Sequence, residues 1–184
     1  TTELSQVRVY VRNLDEKKSV RVLKLGPKIE RLEDYNYPLI NWHPNNKTVM
    51  MVYELKDQLV IHTYDIETKE KRIRNLPGFE KVNSFSFSQD GKKLVLSGVK
   101  KGKGQSDIFV FTLNNSGLEQ ITNDIWDDNN PIFIRSSKQI VFESNRINDT
   151  VKATDDAQFF VKLNRNMDLF MAAYPFTNKV LVRV

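Results

Sequence analysis

The 184-residue sequence contains no cysteine, and that one absence removes disulfide bridges, cysteine-based zinc sites and thiol nucleophiles together. Histidine is almost as scarce: His43 and His62 are the only two, the first in a turn and the second in a strand. A Ser-His-Asp triad or a multi-histidine metal centre has little material to draw on. No G-x-S-x-G, Walker loop or H-E-x-x-H occurs, which removes the commonest hydrolase, nucleotide and zinc-protease signatures. The expected catalytic, cofactor-binding and metal residues are therefore none. No apolar run approaches the roughly 20 residues needed to span a bilayer. The opening Thr-Thr-Glu-Leu-Ser has neither the basic start nor the apolar stretch of a signal peptide, so that, if the protein is exported, its signal is expected upstream or already removed.

Charge of one sign is also missing as a block. Lys and Arg number 28 against 23 Asp and Glu, a net +5 scattered along the chain, where a nucleic-acid footprint would gather it on one face. No nucleic-acid partner is expected. Lys100, Lys101 and Lys103, spaced by glycines, read as an exposed loop. What the sequence does have is 40% hydrophobic residues, enough for a core, arranged in short runs of Val, Ile, Leu, Phe and Tyr between turn residues. The expectation is an all-β fold.

Three of these runs superimpose without a gap: Ile40 to Val52, Phe85 to Ser97 and Pro131 to Glu143. Their aromatic anchors Trp42, Phe87 and Phe133 lie 87 − 42 = 45 and 133 − 87 = 46 residues apart. A four-stranded propeller blade repeats at roughly 40 to 50 residues. Each anchor is followed by a four-residue turn, a lysine (Lys47, Lys92, Lys138) and an apolar strand. The second turn contains Asp90-Gly91, a strong hairpin signal because glycine accepts the positive φ a tight turn demands. The first has Asn45-Asn46, which also tolerates that region, and the third has Ser136-Ser137, from which a looser hairpin is expected.

Third strands follow at Leu59 to Asp65, Asp107 to Leu113 and Asp168 to Tyr174, and more polar fourth strands at Lys71 to Leu76, Leu118 to Thr122 and Lys179 to Val184. Arg8 to Leu14 and Ser19 to Leu25 read as the third and fourth strands of another blade. The expected organisation is a β-propeller segment of four-stranded antiparallel blades: a partial blade at 1–36, blades at 37–81 and 82–127, and a blade at 128–184 with a long insertion at 147–167. The remaining blades would come from the same or another chain.

Phe87 to Leu94, Phe-Ser-Gln-Asp-Gly-Lys-Lys-Leu, resembles the W-S-P-D-G-K-x-I core of TolB-type, WD-like propeller repeats. Glu143 to Arg146 resembles their S-D/N-R strand ending, Asp107 to Val110 their D-I-Y-V, and Gln120 to Asn123 their L-T-N closing strand. Asp127, Asp128 and Pro131 fit the approach to the next blade. The resemblance implies a non-catalytic binding or scaffolding propeller in a bacterial envelope assembly, with a periplasmic location and protein partners. The alternative is the accessory propeller of an enzyme, a prolyl-oligopeptidase-like peptidase or an oligosaccharide lyase.

Several residues invite a chemical reading. Asp127-Asp128 and Asp155-Asp156 could be paired carboxylates, but neighbours on a strand point to opposite faces, so solvated turn carboxylates are expected. Asp107 and Asp168 are expected to bond nearby backbone or the preceding Ser/Arg strand end. Phe85, Phe87, Phe109, Phe111, Phe133 and Phe142 are expected to pack between blades rather than stack on a ligand. The segment Ile147 to Met167 exceeds what a blade needs between its second and third strands. Its Phe159, Phe160 and Val161 beside Lys162 and Arg165 are the expected partner-binding residues, since a long loop on a rigid scaffold builds a recognition surface cheaply; the alternative is a tolerated, partly disordered loop.

Overall fold

A computed structural model describes residues 7–25, 37–146, 167–174 and 181–183. The chain divides into two compact units, Thr1–Pro38 and Leu39–Val184. In the first, strands β1 (Arg8–Arg12) and β2 (Ser19–Lys24) form an antiparallel pair that starts at Arg12↔Ser19 and is offset by a bulge at Val9/Tyr10. Their connection is shaped by Asn13, whose side-chain oxygen accepts bonds from the Asp15 and Glu16 amides.

The second unit holds three four-stranded antiparallel sheets, each a meander in chain order. The first comprises β3 (Leu39–Trp42), β4 (Thr48–Leu55), β5 (Gln58–Asp65) and β6 (Lys71–Asn75). The second comprises β7 (Phe79–Phe87), β8 (Lys93–Lys100), β9 (Ser106–Thr112) and β10 (Leu118–Gln120). The third comprises β11 (Asp128–Ile134), β12 (Gln139–Ser144), β13 (Asp168–Ala173) and β14 (Leu181–Arg183). The three anchors hold one register, Trp42↔Val49, Phe87↔Leu94 and Phe133↔Ile140.

Strand alternation explains how the sheets stack. Along β8 and β9, Leu94, Leu96, Phe109 and Phe111 face the first sheet and pack with Met50, Val52, Ile61 and Leu76. The intervening Val95, Ile108 and Val110 point the other way and pack with Ile140, Phe142, Phe170 and Ala172 of the third sheet. The second sheet is thus apolar on both faces, as a strand run with no polar alternation requires. Phe85, Phe109, Phe111 and Phe142 are buried and Phe87 and Phe133 pack against the same two clusters, so these aromatics form the core between sheets.

Polar groups tie equivalent points of neighbouring sheets. Asn41 donates to the Phe85 carbonyl at 3.2 Å, and at the same place one repeat on Ser86 donates to the Pro131 carbonyl at 2.9 Å. The hairpin turns are linked as well, by the His43 ring on the Gly91 carbonyl at 3.0 Å and the Gln89 amide on Ser137 at 2.8 Å. Residues 46, 91 and 137 take equivalent left-handed φ values of 58°, 70° and 65°. The third hairpin does not loosen as its serines suggest. It is tighter, pairing Ile134 with Gln139 one step beyond the register of the other two, and absorbs the lack of glycine through Arg135, Ser136 and Ser137 in succession at positive φ.

Candidate functional site

The sequence-predicted partner residues Phe159, Phe160, Val161, Lys162 and Arg165 lie outside the described residues, as do Asp155 and Asp156. The histidines do not come together in one site. His43 spends both ring nitrogens on backbone, accepting from the Asn45 amide through Nδ1 at 3.1 Å and donating through Nε2 to Gly91. His62 is buried in β5, its Nδ1 bonded to the Tyr53 hydroxyl at 3.1 Å.

The concentration of chemistry instead lies where the second and third sheets meet. Asp107 opens the apolar run of β9, Asp124 and Asp127 sit on the crossing from β10 to β11, Asp128 begins β11, and Arg146 follows the end of β12. Asp128 is 0% and Arg146 1% exposed, which corrects the expectation of solvated carboxylates at the Asp127-Asp128 pair. The cause is the register: Asp128 lies opposite Ser144, two residues before Arg146, so the guanidinium folds back over it. Arg146 Nη2 donates to both oxygens of Asp128 at 2.8 Å and to Asp124 at 3.3 Å, while its Nε donates to Ser144 Oγ at 2.8 Å. Its plane rests near the rings of Phe142 and Phe170, an arrangement favourable to a desolvated guanidinium. Asp127 turns aside to accept from the Ser106 amide at 3.0 Å.

Asp107 accepts from Gln120 Nε2 at 3.0 Å and, more loosely, from Thr122 Oγ1 and the Asp124 amide, both at 3.4 Å. It therefore bonds nearby backbone, as expected, but not a Ser/Arg strand end; Asp168 in turn pairs with Arg183. Burial pushes the Asp107 carboxyl up to about 7, with Asp124 and Asp128 adding repulsion against the bonds it accepts. Burial likewise raises Asp128 to about 6, opposed by Arg146, and raises Asp124.

Oxygens of Asp107, Asp124 and Asp128 lie within 4.8 Å of one another, a separation that could suit a metal. Here a guanidinium fills the cation's role for part of the cluster, engaging both oxygens of Asp128 and reaching Asp124. Sequence reasoning missed it because its members are spread from 107 to 146; the signal was the buried-strand position of Asp107 together with the arginine that closes β12.

No family model and no curated protein matches the sequence. Solved structures do. The chain is similar to TolB from Acinetobacter baumannii, at 17% identity and a TM-score of 0.63 over 96% of this chain and 37% of that one. It is also similar to a Bacteroides ovatus protein assigned as a dipeptidyl aminopeptidase IV, at 17% identity and a TM-score of 0.62, over 96% of this chain and 25% of the other. The β-propeller domain of the Trilobed protease from Pyrococcus furiosus matches at 11% identity and a TM-score of 0.59, over 100% of this chain and 50% of that one.

The fold is that of a TolB-type β-propeller.

The three four-stranded sheets are its blades, and the chain spans only 37% and 60% of the lengths of the two TolB structures it resembles. In propeller terms the carboxylate cluster sits at the contact of two successive blades. A second feature, a cleft of about 300 Å³, lies between the first and second blades and is lined by Met50, Ile61, His43, Asp65, Arg74 and Leu113 among others. Arg74 closes one side by donating to the Leu113 carbonyl, and Asp65 is occupied by the Glu67 and Thr68 amides. With His43 also spent on backbone, this cleft presents no assembled nucleophile and base among the described residues.

Proposed function

We propose that these blades form a non-catalytic, protein-binding part of a larger propeller, serving a bacterial cell-envelope assembly from the periplasmic side. The blades are assigned to 37–81, 82–127 and 128–184, with 1–36 contributing part of another. The observation that carries the reading is the use made of the two histidines: His43 bridges two hairpin turns and His62 is packed behind Tyr53. General acid-base work requires a side chain free to exchange a proton with substrate. Likeness to TolB supports the envelope setting, and the partner-facing surface is assigned to the 147–167 insertion, whose Phe159, Phe160 and Val161 are anchors of the kind that dominate protein interfaces.

Pull-down from the native cells with wild type, a chain whose insertion is shortened to a Gly-Asn turn, and Phe160→Ala tests this. Wild type is expected to recover partners that both variants lose while remaining folded. Equal recovery by all three sinks the assignment. Likeness to the Bacteroides ovatus and Pyrococcus furiosus proteins favours a second reading, the accessory propeller of a peptidase. Peptidase activity in the full-length gene product, residing in a separate hydrolase domain, would establish that one instead.

A further inference from the structure

The junction of the second and third blades contains more negative charge than it can hold ionised. Three carboxyls, Asp107, Asp124 and Asp128, meet one guanidinium, Arg146, which rests against the rings of Phe142 and Phe170. The surrounding elements bring no second cation among the described residues. From β10, Gln120 is neutral and Glu119 is exposed; from β12, Glu143 bonds Asn130; from β13, Asp168 bonds Arg183. On the crossing, Asp127 bonds the Ser106 amide, and on β8 the Lys100 ammonium lies over Phe79 and Phe109 on the face turned to the first blade. Arg146 uses one nitrogen to satisfy both oxygens of Asp128, so the Asp107 oxygens are left with an amide and a hydroxyl as their side-chain donors.

We propose that Asp107 retains a proton in the folded chain and that its release makes this blade junction loosen as pH rises, a proton-sensitive contact between the second and third blades. The step is a plain ionisation: the Asp107 O–H bond breaks, the proton goes to solvent, and the carboxylate left behind stands beside two others with the single Arg146 guanidinium to offset all three. Like charges in a poorly solvated space repel strongly. Asp107 sits on β9 and the other two carboxylates on the crossing and β11, so the repulsion works against the bonds that join these parts, the Ile108 amide on Thr122 and the Ser106 amide on Asp127, while the Asp124 amide, a donor to the new carboxylate, resists it. The raised Asp107 carboxyl, at about 7, agrees in sign: a group that binds its proton more tightly folded than unfolded contributes stability below its ordinary range and loses it as pH climbs through the folded value.

Hydrogen exchange of the intact chain between pH 6 and 8.5, corrected for the intrinsic rate, reads the junction directly. Amides at 106–108 and 122–128 are expected to lose protection by about tenfold across that range while those of β4 and β5 hold theirs. Asp107→Asn, which keeps the shape without the titration, is expected to flatten the dependence. Should that variant fail to fold, carboxyl NMR of Asp107 in wild type and in Asp124→Asn decides: a midpoint near neutrality that falls when Asp124 loses its charge supports the proposal. Wild-type protection independent of pH, an unchanged dependence in Asp107→Asn, or an ordinary Asp107 midpoint overturns it. So does full restoration of protection at pH 8.5 by millimolar calcium or magnesium, which would make the compensating charge a metal ion.

Discussion

His62 occupies a position that the other two blades give to phenylalanine. It pairs across the strands with Met51, as Phe109 does with Leu96 and Phe170 with Phe142, and these partners recur at the repeat period. A histidine there satisfies Nδ1 through Tyr53 but leaves Nε2 buried without a partner among the described residues. Burial, with Lys71 assisting, lowers its basicity. Stability from a group held neutral in this way is present above the unfolded value near 6.5 and drains as pH falls below it, the opposite sense to Asp107. The repeat itself suggests the repair. Tyr53→Phe/His62→Phe, which removes both polar ends together, should raise unfolding stability at pH 7 by about 1 kcal/mol. The gain should widen at pH 5.5, where only the parent must charge a buried ring. Urea unfolding at the two pH values checks this, and an equal or smaller gain in acid would show that His62 does not resist protonation.

At the scale of elements, the hairpin turns carry the information that made the blades legible. Asp90-Gly91 marks one turn, and the ungapped alignment carries its left-handed residue to Asn46 and Ser137, where the backbone indeed takes positive φ. Fourth strands were readable because each follows its third strand at a near-constant offset, whereas the third strand of the last blade, delayed by the 147–167 segment, was readable from its own apolar run. The cluster at the blade junction was not readable, because pairing Asp128 with Arg146 depends on the β11–β12 register and on which face each strand buries, and two adjacent aspartates look the same in a solvated turn. Gly91 shows how a local signal also serves a distant contact. Its carbonyl holds His43, and a Cβ built on it would overlap the His43 ring. Gly91→Ala should therefore cost about 2 kcal/mol or more, from left-handed strain and loss of the clamp. In a His43→Ala background the clash is gone and the same substitution should cost distinctly less. Denaturant unfolding of the four chains in this cycle gives the difference; an identical cost in both backgrounds would show that the ring contact plays no part.

For the second unit as a whole, the decisive feature is that the middle blade has no free face. Leu94, Leu96, Phe109 and Phe111 are shared with the first blade and Val95, Ile108 and Val110 with the third, so neither neighbour can leave without exposing one side of β8 and β9. Repeat arrays unfold blade by blade only when the interfaces are weak relative to each repeat's own stability, and a lone four-stranded sheet with one apolar face has little stability of its own. Residues 39–183 should then unfold in one transition. Two tryptophans report on the two ends of this stack: Trp42, half-exposed at the end of β3, and Trp126, buried on the crossing into the third blade. Trp42→Phe leaves Trp126 as the fluorescent probe and Trp126→Phe leaves Trp42. Within each single-tryptophan chain, fluorescence and far-UV circular dichroism should give the same urea midpoint. Adding Phe109→Ala, a large-to-small change in the core between the first and second blades, should lower that midpoint by the equivalent of about 3–5 kcal/mol in both chains, although Trp126 lies outside that core, on the crossing into the third blade. A Trp126 signal that ignores Phe109→Ala would mean that the blades unfold separately and that the shared middle sheet does not couple them.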